Sequence, residues 1–266
     1  MTIAIDPTAL AAGLVQVRWS LVFALLAIVA GLLLAGRWGR AAGLRLISVA
    51  LPAALVVAAG VVAGRAAVLI ERPELLRRGA GFAAVLSQGG VSVPAAALGG
   101  ALVLIVWAAL ARQPLARALG AAGGALLVGE AIASVGLLVT GDLAGSIADV
   151  PWAVIYSRPD AGVPATLVGR GVQPLALYAL VWSALVAGLL WTAWPSIAAA
   201  ERWALAALAF GLGHLLIGYA RLEPVWLLGL RGDQLFSLVW ISLGGLGLLF
   251  GGRRMVRVAS MVETPR

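Results

Sequence analysis

The chain contains no cysteine, and although it carries 19 basic residues every one of them is arginine; lysine is absent and histidine occurs once. Without cysteine there is no disulfide framework, no thiolate metal site and no nucleophilic thiol. A lone histidine, with neither a thiol nor a second imidazole, speaks against zinc and bis-histidine haem, so no metal and no cofactor is expected. Charge of either sign is scarce: 11% of the 266 residues are charged and 62% are hydrophobic, with a mean hydropathy of +1.05. Such a composition lies outside the range of soluble domains and describes a polytopic membrane protein.

Seven segments are long enough to cross roughly 30 Å of hydrocarbon at about 1.5 Å per residue. They fall near residues 19–36, 46–70, 89–111, 118–140, 172–193, 203–220 and 235–252. Long unbroken apolar runs without alternation favour helices over a β-barrel. The only early cation is Arg18, and the apolar run after it is too long for a signal-peptide core, so this segment is expected to stay as the first span. Seven helices also describe the retinal proteins, whose Schiff base needs a lysine amine; the lack of lysine excludes that chemistry.

Charge placement sets the expected orientation. With the N-terminus outside, the cytoplasmic segments carry ten arginines, from Arg37 to Arg266, against Glu201 and Glu263, and this face accounts for the whole formal charge of +8. That is the positive-inside pattern, with the C-terminus and a basic tail, residues 253–266, in the cytoplasm. The pI near 11.4 therefore reports topology and contact with anionic lipid. No basic patch with interleaved aromatics points to nucleic acid. The expected organisation is one seven-helix domain over residues 1–266, with external loops at 71–93 and 141–171 capping a central, lipid-accessible cavity. Tryptophans near span ends, from Trp19 to Trp226, read as interfacial anchors.

Polar residues at depth are few. Arg65 is the sole charge between Leu46 and Ile70, and a buried membrane charge needs a partner or a task. Pairing with Glu130 in the fourth span is one explanation and binding a lipid phosphate is another. His214, in the sixth span, could pack, handle a proton or meet a headgroup. Asp142, Arg221 and Asp233 stand at external span ends, where a solvated charge and a functional one both fit.

Several short elements, in order along the chain, resemble the bacterial prolipoprotein diacylglyceryl transferases. Ile5 to Ser20 is similar to that family's N-terminal segment, with Asp6-Pro7 and Arg18-Trp19 in register. Gly64-Arg65 resembles its Gly-Arg element, and Gly89-Gly90-Val91-Ser92 its entry to the third helix. Residues 136–145, GLLVTGDLAG, keep the glycines and the acid of its signature at Gly136, Gly141, Asp142 and Gly145. Gln173 to Tyr178 resembles the start of its fifth helix, Tyr219-Ala220-Arg221 the end of its sixth, and Asp233-Gln234 the entry to its last.

The resemblance implies transfer of the diacylglyceryl group of phosphatidylglycerol to the thiol of a lipobox cysteine in a secreted protein, in the bacterial inner membrane. It implies phosphatidylglycerol or another anionic phospholipid as one partner and lipobox proteins as the other. Arg65, Tyr178, Gln234 and Glu130 become candidates for the headgroup site, and His214, Asp142 and Arg221 for catalysis. The departures are as informative: Pro94 stands where the family has its proposed histidine base, and Ser134, Leu137, Thr140, Phe210 and Gly218 replace other polar positions. A relative that binds phospholipid without catalysis is the alternative. A small-molecule transporter, suggested only by polar residues at depth, is a weaker one.

Overall fold

The structure, a computed structural model, describes residues 1–12, 15–71, 90–193 and 195–262. Seven helices are long and apolar enough to span a bilayer: α1 (Trp19–Ala41), α2 (Leu46–Glu71), α3 (Val93–Leu110), α4 (Leu115–Thr140), α5 (Leu175–Ala193), α6 (Ala199–Gly218) and α7 (Gly232–Val262). Every expected span is met by one of them. The last helix runs on through most of the segment expected to be a tail. The external loop expected at 71–93 lies almost wholly outside the described residues.

Helix ends follow local chemistry. Ser92 caps α3, its hydroxyl accepting from the Ala95 amide at 3.4 Å with a proline in the first turn. At the far end of α4, Gly141 takes φ +76° and stops the helix, a conformation that costs glycine nothing. Large apolar side chains such as Leu33, Leu55, Val62, Leu102, Leu110 and Leu189 stand on the outside, more than half exposed. In water that surface would be unstable; against acyl chains it is the expected exterior.

Helices approach through small residues. Helix α4 packs on α1, α5 and α6, α2 pairs with α3, and α6 pairs with α7. A Cβ on Gly99 would lie 2.4 Å from the Ala63 methyl on α2, and one on Gly244 would lie 2.5 Å from the backbone nitrogen of Leu208 on α6. Backbones that close require the missing side chain. Only 11% of the α1 span is buried, against 39% of α6, which makes α6 the innermost helix. Around it Phe210, Trp240 and Leu127 are fully buried, with Trp203 and Phe210 both edge-on to Trp240.

One side of the bundle carries a small sheet, which the all-helical reading did not anticipate. Strand β1 (Thr2–Ile3) pairs in parallel with β4 (Val154–Tyr156), which pairs antiparallel with β5 (Gly171–Val172), while β2 (Thr8–Ala12) and β3 (Val15–Arg18) form a hairpin. Ile3, Val154, Tyr156 and Val172 share an apolar core with Val163 and Leu167. Residues 141–171 are therefore folded structure. Strands β1, β4 and β5 are two or three residues long and β1 finds its partner some 150 positions away, so no local periodicity announces them.

Candidate functional site

Three polar assemblies stand out, one inside the bundle and two at its sheet side. The first is buried among helices. His214 Nε2 lies 2.5 Å from Glu130 Oε1, and the Ser183 hydroxyl donates to Glu130 Oε2 at 2.6 Å. The side chains of His214 and Glu130 are 8% and 7% exposed, so α4, α5 and α6 each contribute one group to a nearly dry cluster. Phe210 packs against the imidazole with its ring tilted by 54° and 4.6 Å between ring centres. The carboxylate stands between the imidazole and the hydroxyl, so it can hold the orientation of the histidine ring. The serine is thereby a support for the acid and not a nucleophile aimed at the imidazole.

The second assembly sits where α6 ends and α7 begins. Arg221 makes a two-point contact with Glu223, 3.0 and 3.2 Å, and its Nη1 lies 2.5 Å from Asp233 Oδ2, though without the alignment of a hydrogen bond. Ser92 donates to the other oxygen of Asp233. Burial works against the Arg221 cation, but Asp233, Glu223 and Glu71 outweigh it and hold its pKa above the ordinary arginine value. The guanidinium is thus permanently charged, with its donors facing carboxylates. Gln234 ties the assembly to α6, accepting from the Arg231 amide at 3.0 Å and donating to the Leu215 carbonyl at 3.2 Å. Gly218 leaves room for it, since a Cβ there would fall 2.4 Å from the Gln234 stem.

The third assembly joins the sheet to the bundle. Asp142 pairs with Arg18 at 3.1 Å and accepts from Thr140 at 2.8 Å. Behind it Tyr156 donates to the Leu138 carbonyl at 2.8 Å, and burial together with the Asp142 charge pushes its phenol up to about 12. Arg18 also lines an open cleft of roughly 480 Å³ with Asp6, Gln16 and Asp160. The loop after Asp142 meets the end of α6, where the Ser146 amide donates to the Ala220 carbonyl at 2.8 Å.

The candidates from the sequence are thus distributed among these groups. Glu130 goes to His214 and Ser183, not to Arg65, because α4 presents it toward α5 and α6. Arg65 instead donates to the Gly90 carbonyl at the entry to α3. Tyr178 donates to Gln173 at 2.5 Å and accepts from Trp152 at 2.7 Å. His214 lies on α6 four residues before its end, and Arg221 stands three residues past that end. Sequence reasoning missed Ser183, Glu223 and Ser92 as parts of the site. Ser183 was detectable as a hydroxyl inside an otherwise apolar span; Ser92 lay within a matched motif, and Glu223 had no signal beyond proximity to one. Among the described residues no group of three or more His, Asp or Glu could hold a metal.

Comparison with known proteins brings these assemblies into a family context. A family model described as prolipoprotein diacylglyceryl transferase matches residues 7–250. The phosphatidylglycerol–prolipoprotein diacylglyceryl transferase of Acaryochloris marina is 28% identical over 169 residues, 62% of this chain and 61% of the relative. Its namesake in Trichormus variabilis is 28% identical over 186 residues, 67% of this chain and 66% of the relative. These two matches span less than two thirds of the relatives' own length. One from Synechococcus elongatus is 26% identical over 254 residues, 92% of this chain and 86% of the relative.

Proposed function

The chain belongs to the prolipoprotein diacylglyceryl transferase family, and on that premise we propose that it transfers diacylglyceryl from phosphatidylglycerol to a lipobox cysteine. It does so in the bacterial cytoplasmic membrane, with the N-terminus and the sheet outside and with the phospholipid entering a lipid-accessible site beside α6. The observation that carries this reading is a carboxylate-backed imidazole near the end of α6 together with a permanently charged guanidinium, largely out of water, three residues past that end. His214 takes the thiol proton, since a thiolate is the nucleophile and the neutral thiol is not. Sulfur then bonds to the glyceryl carbon, the carbon–oxygen bond to phosphate breaks, and glycerol phosphate leaves with the electron pair. Arg221 stabilises that leaving phosphate as its oxygens replace those of Glu223, and Arg65, Gln234 and Tyr178 hold the headgroup. Glu130 orients His214, and Asp142 holds Arg18 at the mouth of the site.

A specific observation favours a second reading, a relative that binds phospholipid without catalysis. Pro94 occupies the place where the resemblance puts a base, and its carbonyl accepts from the Trp240 indole at 3.0 Å. Trp240 and Phe210, 1% and 0% exposed, fill the space beside it. The test is transfer to a lipobox peptide by the purified chain in phosphatidylglycerol vesicles, together with rescue of a strain depleted of its own transferase. Loss of transfer in His214→Gln, with the fold intact, supports catalysis by this cluster. Transfer at the unsubstituted rate in that variant removes His214 from the mechanism, and phospholipid binding with neither transfer nor rescue selects the second reading.

A further inference from the structure

Between α6 and α7 the chain runs RLEPVWLLGLR, from Arg221 to Arg231, and no charge interrupts it between Glu223 and Arg231. Its two ends are tied together at the base, where Arg221 grips the Glu223 carboxylate and Arg231 Nε donates to the Glu223 carbonyl at 2.7 Å. Beyond that base the segment is a hairpin. The Trp226 and Leu227 amides donate to the Leu230 carbonyl at 2.8 and 3.1 Å, and the Leu230 amide returns a bond to Leu227 at 2.9 Å. At the tip Leu228 takes φ +54° and is 85% exposed. A branched residue rarely adopts that backbone, and water would favour asparagine or glycine there.

The outward side chains are all apolar or aromatic. Val225, Trp226 and Leu227 are each about half exposed, and Leu216 near the end of α6 and Tyr219 and Leu222 just past it are comparably exposed. Leu216 is exposed on a helix long and apolar enough to span a membrane. Because the hairpin satisfies amides of its own tip, it carries a lower penalty on leaving water than an open loop would. An indole beside leucines is also the composition favoured at the boundary between headgroups and acyl chains.

We propose that the hairpin at residues 225–230 is a membrane-inserted anchor, seated at the headgroup–acyl boundary of the leaflet on the sheet side. Its occupant is phospholipid, not a protein partner. The same base residues that close the hairpin hold Arg221, so the anchor sets the depth of the Arg221–Asp233 pair at the level of lipid phosphates. This inference rests on the seven-span architecture and stands whether or not the chain is a transferase.

The absence of cysteine makes the test direct. Leu228→Cys is labelled with an environment-sensitive fluorophore in phospholipid nanodiscs, and Thr166→Cys, exposed on the sheet domain, serves as the reference. Anchoring shifts emission at 228 to the blue of that at 166, with strong quenching by nitroxide-labelled acyl chains and weak quenching by aqueous iodide. Lipid quenching at 228 no stronger than at 166 overturns the proposal. Emission blue-shifted but quenched by neither agent would indicate burial against protein, and it overturns it equally.

Discussion

Removing the carboxylate at position 130 should destabilise the bundle through two partners at once. Glu130 accepts from Ser183 at 2.6 Å and meets His214 at 2.5 Å, with both members of the His–Glu pair nearly dry. A neutral hydrogen bond contributes about 0.5–1.5 kcal/mol and one to a charged group about 1.5–3. Polar contacts between membrane helices average nearer ~0.6 kcal/mol and reach ~1.7. Scaled to that environment, Glu130→Ala should cost about 2–4 kcal/mol once the two stranded partners are included, and His214→Ala slightly less. In the double variant the histidine no longer needs an acceptor, so its cost should fall short of the sum by about 1–2 kcal/mol. The assay is equilibrium unfolding of the purified chain in mixed micelles, followed by circular dichroism, for the parent, both single variants and the double. Costs that add to within about 0.5 kcal/mol would refute the coupling, and with it the assignment of Glu130 as the partner that orients His214.

Two further outcomes follow from geometry elsewhere. Tyr156 holds its proton to about 12 in the folded chain against an ordinary 10.0, because burial and Asp142 both oppose the phenolate. A raised folded value means its contribution to stability is complete below pH 10 and is lost as pH climbs toward 12. Tyrosinate absorbance should therefore show one of the three tyrosines titrating late and disappearing in Tyr156→Phe; three coincident midpoints near 10 would contradict the burial of this ring. Gly244→Ala places a Cβ 2.5 Å from the Leu208 nitrogen and 2.7 Å from the Ala204 carbonyl, backbone atoms that cannot step aside, so it should cost about 1–3 kcal/mol in the same unfolding assay. Its neighbour Gly245, with nothing within 4 Å, should accept alanine without loss.

Much of this molecule was readable one residue at a time. Hydrophobic runs near 30 Å long specify spans, because a bilayer demands apolar length and internally satisfied backbones. The isolated polar residues Arg65, Glu130 and His214 stood out for the same reason, whereas Arg221, at a span end, was singled out only by the resemblance. Their partners did not. Glu130 was equally able to meet Arg65 or His214 by depth along its helix, and only the rotation of α4 against α5 and α6 selects the histidine. Ser183 became part of the site because α5 turns that face inward, a choice that a uniformly apolar span does not reveal.

The sequence by itself determined the membrane class, the seven helices and a family membership carried by collinear motifs, since each depends on composition or on short local patterns. Tertiary structure alone decided the rest. It joined Thr2–Ile3 to a strand some 150 residues away, gave Arg221 to Asp233, chose His214 and Ser183 for Glu130, and filled the place beside Pro94 with Trp240. Those are contacts between segments distant in sequence or choices among near-equal partners. Packing resolves them, and no single stretch of chain contains the information.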